Sequence, residues 1–202
     1  MRNIAPNTIS HHLADFIAKN NPKYINEKDQ IRYGLEWVIS GLYQFISVIL
    51  LGHLFNTLSF SISALISGAM IRMFSGGIHF KKYIKCYIYS TLTIQLTGIF
   101  AARYSENLFS AKVYYTIVFL TFIIFLKYAP KLYKTKELFN VTDKKRFKVI
   151  SICLLLLFFI LTEFIIHDNK YVFCIWTSIA LQAFTITNIG EKVILFLDKI
   201  TK

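Results

Sequence analysis

The chain has 202 residues, of which 55% are hydrophobic and only 17% charged, and its mean hydropathy is +0.50. Soluble domains carry about 25% charged residues, so this composition excludes an ordinary soluble protein; 19 Phe, 12 Tyr and 2 Trp exclude a disordered one, and 3 Cys exclude a disulfide scaffold. What remains is an all-α integral membrane protein in which six spans of roughly 20 residues would occupy about 120 positions, leaving no room for a separate soluble domain.

The net charge of +12 comes from 23 Lys and Arg against 11 Asp and Glu. The basic residues lie between the apolar runs rather than within them. That distribution belongs to a bilayer and anionic lipid head groups, not to nucleic acid.

In chain order, residues 1–33 form a mixed segment. Ile9, Leu13, Phe16 and Ile17 repeat at helical spacing, and Pro22 after Asn20 and Asn21 stops the run. This reads as a pair of interfacial helices on the membrane surface, not as a signal peptide. Six spans are expected at 34–54, 55–71, 86–102, 113–126, 149–166 and 171–189. The second is rich in small residues: Ala64 and Gly68, and Ser63 and Ser67, stand four apart, which favours close helix approach. The tail, 190–202, places Val193, Ile194, Leu197 and Ile200 on one face and is expected to be a second interfacial element. The whole chain is thus expected to be one membrane-embedded domain, with 34–189 as its transmembrane bundle.

Positive charge is concentrated in the N-terminal region, in 72–85, in 127–148 and in the tail, alternating with basic-poor connections. The positive-inside rule then puts both termini and the 72–85 loop on the cytoplasmic side.

That loop, RMFSGGIHFKKYIK, leads directly to Cys86. It holds Arg72, Ser75, Gly76, Gly77 and His79, and polar groups at a membrane rim need a reason to be there. A thiolate is a nucleophile, and a neighbouring His, cationic groups or a helix N-terminus favour it. Cys86 has His79, Lys81, Lys82, Lys85 and a predicted helix start. On one unbroken helix, however, residues seven apart are separated by about 10.5 Å along the axis. A direct pair needs a bend between them, which Gly76 and Gly77 make easy, or a His from a second subunit. From spacing alone, Cys86 fits an ordinary small residue at a helix start as well as a nucleophile. Cys153 and Cys174, inside apolar runs, read as packing residues.

Glu36 stands at the rim of the first span. It can orient His79 as a third member of a triad or pair with Arg72, and the pairing is the preferred reading. No set of side chains has metal-ligand spacing, and no nucleotide-binding glycine motif is present. No metal or cofactor is expected.

These residues together resemble the accessory gene regulator B (AgrB) family of membrane peptidases, which process quorum-sensing propeptides. The match rests on the block from Glu27 to Glu36, on Arg72-x4-Gly77-x-His79-x6-Cys86, and on overall size and organisation across nearly the whole chain. Phe80 departs from the pattern, where the family usually has a small residue such as Ala. The resemblance implies catalytic roles for His79 and Cys86, with Arg72 and Gly77 in support. It also implies a homodimer in a bacterial cell membrane, acting on an AgrD-like propeptide to cleave it and to close a thiolactone or lactone ring. An acidic part of that peptide could meet Lys131, Lys134, Lys136, Lys144, Lys145 and Arg146, although the same charges serve topology and lipid contact equally well. Two other readings compete. A small transporter subunit or sensory membrane module explains the spans and basic loops but not the His and Cys in one polar break. A redox- or metal-sensing thiol lacks a nearby partner Cys.

Overall fold

A computed structural model describes residues 5–80, 82–131 and 141–200, with the backbone alone at 106–108 and at 141. Its order is α1 (Pro6–Asn20), a 3-10 helix (Pro22–Glu27), α2 (Lys28–Leu54), α3 (Leu58–Ser75), α4 (Tyr83–Leu108), α5 (Ala111–Tyr128), α6 (Val141–Phe164), α7 (Asn169–Ile186) and α8 (Asn188–Ile200). The described residues form no β-strand, and the expected all-α membrane fold is what is found.

The chain divides into two compact units, one up to Ser47 and one from Val48 onwards. In the first, α1 begins with Pro at its N-terminal turn, where the missing N–H costs nothing, and stops before Pro22. It buries Ser10, Ala14 and Ala18 and exposes Leu13 and Phe16. Lys28 pairs with Asp15. No break separates a second interfacial helix from the first span, because α2 runs continuously from Lys28. The expected boundary at 33/34 therefore falls inside a helix.

In the second unit α7 is the central helix. Trp176, Ile179 and Ile186 are fully buried, with Ile71 of α3, Phe125 of α5 and Leu155 of α6 in the same core, and Cys174 is fully buried in a second cluster. The indole N–H of Trp176 donates to Thr162 Oγ1 at 3.0 Å, and the Tyr114 hydroxyl lies 3.0 Å from the same atom. The small residues of α3 do what their spacing implies. Ala64 is buried beside Ala101 and Cys174, and Ser178 donates to the Ala64 carbonyl at 2.6 Å.

The expected six spans are not all met. By length and apolarity, α2 (with the preceding 3-10 turn), α3, α5 and α6 can each cross a membrane; α7 and α8 together make a fifth if counted as one bent span. α4 falls outside this set. It carries Thr91, Gln95, Thr97 and Ser105, all buried; Gln95 donates to Thr57 Oγ1 at 2.7 Å and Thr97 to the Thr93 carbonyl at 2.9 Å, whereas the hydroxyls of Thr91 and Ser105 have no partner among the described residues. α7 and α8 meet at an angle of 84°. Gly190 permits that elbow, since a Cβ there would run into the Phe184 carbonyl. A tail helix is present but starts at Asn188; of the four residues expected on one face, Ile194 is buried while Val193 and Ile200 are exposed, and Ile189 and Phe196 join them on the exposed apolar side.

Candidate active site

α3 ends at Ser75 and α4 begins at Tyr83, so the stretch containing Gly76, Gly77 and His79 is not helical. Gly76 (φ 70°) and Gly77 (φ 132°) turn the chain in the region that L side chains avoid. A Cβ on Gly77 would lie 2.7 Å from Thr185 Oγ1 and 3.3 Å from Gln182 Nε2. The second glycine is therefore required by space as well as by torsion.

The bend resolves the distance problem. His79 Nδ1 lies 3.6 Å from Cys86 Sγ within a single chain. Cys86 is half-buried in the first turn of α4, where its N–H bonds the Lys82 carbonyl at 3.4 Å. First-turn N–H groups of a helix carry partial positive charge, which favours an anion such as a thiolate.

Arg72, in the last turn of α3, bridges the site. Its Nη1 donates to Gln182 Oε1 at 2.8 Å, and its Nη2 donates to the Ile78 carbonyl at 3.0 Å. Nη2 also lies 3.2 Å from His79 Nδ1 and 3.4 Å from Nε2. A guanidinium only donates, and so does a neutral thiol toward an imidazole lone pair. With the ring proton on Nε2, the single lone pair of Nδ1 accepts from the Cys86 thiol or from Arg72 Nη2, one at a time.

The loop is tied down from three directions. Gly77 N–H donates to the Lys131 carbonyl and Lys131 N–H donates to the Ser75 carbonyl, both at 2.9 Å. Gln182 Nε2 donates to the Gly76 carbonyl at 2.6 Å and to the Ser75 hydroxyl at 3.0 Å. Two ion pairs reach α8: Lys85 to Asp198 at 3.1 Å and Lys131 to Glu191 at 2.6 Å.

Of the residues singled out from sequence, Arg72, Ser75, Gly76, Gly77, His79 and Cys86 therefore come together. Glu36 pairs with Arg32 at 3.1 Å, one turn away on its own helix, because i,i+4 spacing puts the two side by side. Lys131 already has an internal partner in Glu191 and contributes its backbone to the loop. Lys144, Lys145 and Arg146 are exposed near the start of α6. Lys134 and Lys136, like Lys81, lie outside the described residues. An open cleft of about 410 Å³ is lined by Lys127, Lys131 and Lys144 together with Tyr128, Pro130, Ile186 and Asn188. Among the described residues, no three His, Cys, Asp or Glu side chains gather as a metal site would require.

Sequence reasoning missed Gln182 and Thr185. The available signal was a Gln inside an apolar helix, which demands a partner.

Comparison with known proteins adds a family. The family model described as accessory gene regulator B matches residues 10–186, a range that includes every residue of the Arg72–Cys86 site. An AgrB-like protein of Clostridium perfringens strain SM101 is 27% identical over 195 residues, covering 88% of this chain and 90% of its own length. AgrB-like protein 2 of C. perfringens strain 13 is 28% identical over 192 residues, with the same coverages of 88% and 90%. No solved structure matches.

Proposed function

This chain belongs to the accessory gene regulator B family, and on that premise we propose that it is a membrane cysteine endopeptidase that cleaves an AgrD-like propeptide and promotes its macrocyclisation. Membership carries with it a part in the accessory gene regulator quorum-sensing system, beside such a propeptide and in a membrane. The observation that carries the finer reading is the 3.6 Å approach of His79 Nδ1 to Cys86 Sγ, with Arg72 Nη2 3.2 Å from the same ring nitrogen.

The chemistry follows from that geometry. His79 takes the thiol proton at Nδ1, and the Cys86 thiolate attacks a propeptide carbonyl. The tetrahedral oxyanion needs donors; Arg72 Nη2 and the first N–H groups of α4 are the groups at hand. Collapse breaks the peptide bond, and the His79 proton goes to the departing amine of the C-terminal fragment. Cys86 is left as a thioester. An internal Cys or Ser of the propeptide then attacks that thioester, closing a thiolactone or lactone and returning the thiol of Cys86. Water must compete poorly at this stage, and a site at the membrane rim helps to exclude it.

Energetics restrict the scheme. Replacing a peptide bond by a thioester is uphill, whereas exchanging one thioester for another is nearly neutral. Product therefore accumulates only if the released fragment is removed or the cyclic peptide leaves. Adding the C-terminal fragment back to reconstituted membranes should suppress product.

The remaining parts of the reading rest on charge. The basic segments favour a cytoplasmic site and cytoplasmic termini. Lys127, Lys144, Lys145 and Arg146 offer an acidic peptide or anionic head groups a counter-charge. A homodimer belongs to the same reading, but the His79–Cys86 contact forms within one chain and does not depend on it.

The test is co-expression with a small propeptide followed by mass spectrometry of the membranes. Wild type should release a truncated peptide and a species lighter by one water. Cys86→Ala and His79→Ala should abolish both, and Cys153→Ala should not. Cleavage that persists in Cys86→Ala removes the assigned nucleophile.

A further inference from the structure

We infer that Gln182 is a positioning residue of the thiol site, setting which edge of Arg72 faces His79 and Cys86; the inference rests on the peptidase reading for its role in catalysis, but not for its geometry. Gln182 stands on the last turns of α7, remote in sequence from the loop, and is only 5% exposed. Its amide has one orientation compatible with its neighbours. Arg72 can only donate, so the Oε1 side must face Nη1. The Gly76 carbonyl can only accept, so the Nε2 side must face the loop. One side chain thus satisfies a half-buried carbonyl, a buried hydroxyl and a guanidinium at once, and the single hydroxyl proton of Thr185 is shared between the Gln182 carbonyl at 2.8 Å and Oε1 at 3.2 Å.

The consequence for Arg72 is directional. With Nη1 held by Gln182, Nη2 is left to the Ile78 carbonyl and the His79 ring, whose Nδ1 lies 3.6 Å from Cys86 Sγ. Without that hold, a long side chain with several free torsions would spread its donors over many positions. The same amide packs beside Gly77 where a Cβ would be. Gln182 therefore couples the glycine turn, which brings His79 to Cys86, to the charge that steadies a thiolate. It touches no reacting atom itself.

A glutamate at 182 separates this role from simple packing. It is isosteric, but as a carboxylate it pairs with Arg72, draws the guanidinium toward α7 and cancels its charge beside Cys86. It also cannot donate to the Gly76 carbonyl. The experiment measures the rate of Cys86 alkylation by iodoacetamide as a function of pH, by peptide mass spectrometry, in the purified full-length protein in micelles. Thermal unfolding is recorded alongside, and no propeptide is needed. In Gln182→Glu the labelling rate at neutral pH should fall on the order of tenfold, the change expected for one unit of differential charge interaction. The profile should move to higher pH, measured at a temperature below each variant's unfolding midpoint so that loss of folding is not what slows labelling. Gln182→Asn, which keeps the amide but withdraws it by one methylene, should also label slowly, and it carries the test if the glutamate variant does not fold. Wild-type labelling in whichever variant folds overturns the inference. If labelling falls as expected but wild type cleaves no propeptide, the peptidase reading fails and the positioning geometry stands. If wild type cleaves and the variants both label and cleave normally, only the role of Gln182 is lost.

Discussion

Replacing Gly77 by alanine perturbs the site at its tightest point. The native φ of 132° is one that an L side chain rarely adopts, and holding a residue there costs about 1–3 kcal/mol. The new Cβ would stand 2.7 Å from Thr185 Oγ1, so the loop must move. Moving it weakens the 2.9 Å bond from Gly77 N–H to the Lys131 carbonyl, a further loss of about 1 kcal/mol. The total of about 3 kcal/mol is a large part of the roughly 5–15 kcal/mol that holds a domain together. A loop displacement of that kind also carries His79 away from Cys86, and a misplacement of about 1 Å can cost 100-fold in rate. The assay is equilibrium unfolding in mixed micelles, with propeptide cleavage measured on the same samples. Adding Thr185→Ala should relieve the clash but not the torsion. The double variant should therefore be more stable than the two single changes predict, by about 1 kcal/mol. A Gly77→Ala protein with wild-type stability and cleavage would refute the turn geometry.

Two further outcomes follow from α8 and from the cysteines. Lys85 and Asp198 form a pair whose side chains are 16% and 9% exposed, so removing one partner leaves a poorly hydrated charge next to the helix turn that bears Cys86. Either Lys85→Ala or Asp198→Ala should destabilise the protein by about 1–3 kcal/mol and slow cleavage, and the swapped pair Lys85→Asp with Asp198→Lys should recover part of both; equal loss in the swapped protein would show that the pairing is not what matters. Cys86 is half-buried while Cys174 is fully buried in the core. A membrane-permeant maleimide should therefore modify Cys86, with loss of cleavage, and should reach Cys174 only after unfolding. Labelling of Cys174 in the folded protein would contradict its packing against α3 and α4.

The membrane class, the tail helix and the break at Gly76–Gly77 were legible because each has a local signature: apolar content, a one-sided apolar face, and residues that tolerate positive φ. The His79–Cys86 pair was legible only in part. Its spacing on a straight helix forbids contact, and the glycine pair made a bend possible without saying that it occurs within one chain. Glu36 went to Arg32 because a partner one turn away needs no tertiary structure, whereas Arg72 needed a whole fold to explain its partner. Gln182 lies 110 positions from Arg72, and no local pattern links them. The six expected spans came from charge alternation, which marks the ends of segments but does not show whether the residues between them meet lipid or protein. α4 shows the difference, since its buried Thr, Ser and Gln side chains are covered by neighbouring helices.

The central claim is that Cys86 carries the acyl group, and it can be tested by intact-mass measurement of the purified protein. A propeptide whose internal Cys or Ser is replaced by Ala would be mixed with the protein in micelles and quenched in acid after one turnover. The predicted result is an adduct on Cys86 equal in mass to the N-terminal fragment, removed by hydroxylamine and absent in Cys86→Ala. Cleavage of that propeptide with no adduct at any time, and at an undiminished rate in Cys86→Ala, would contradict the account.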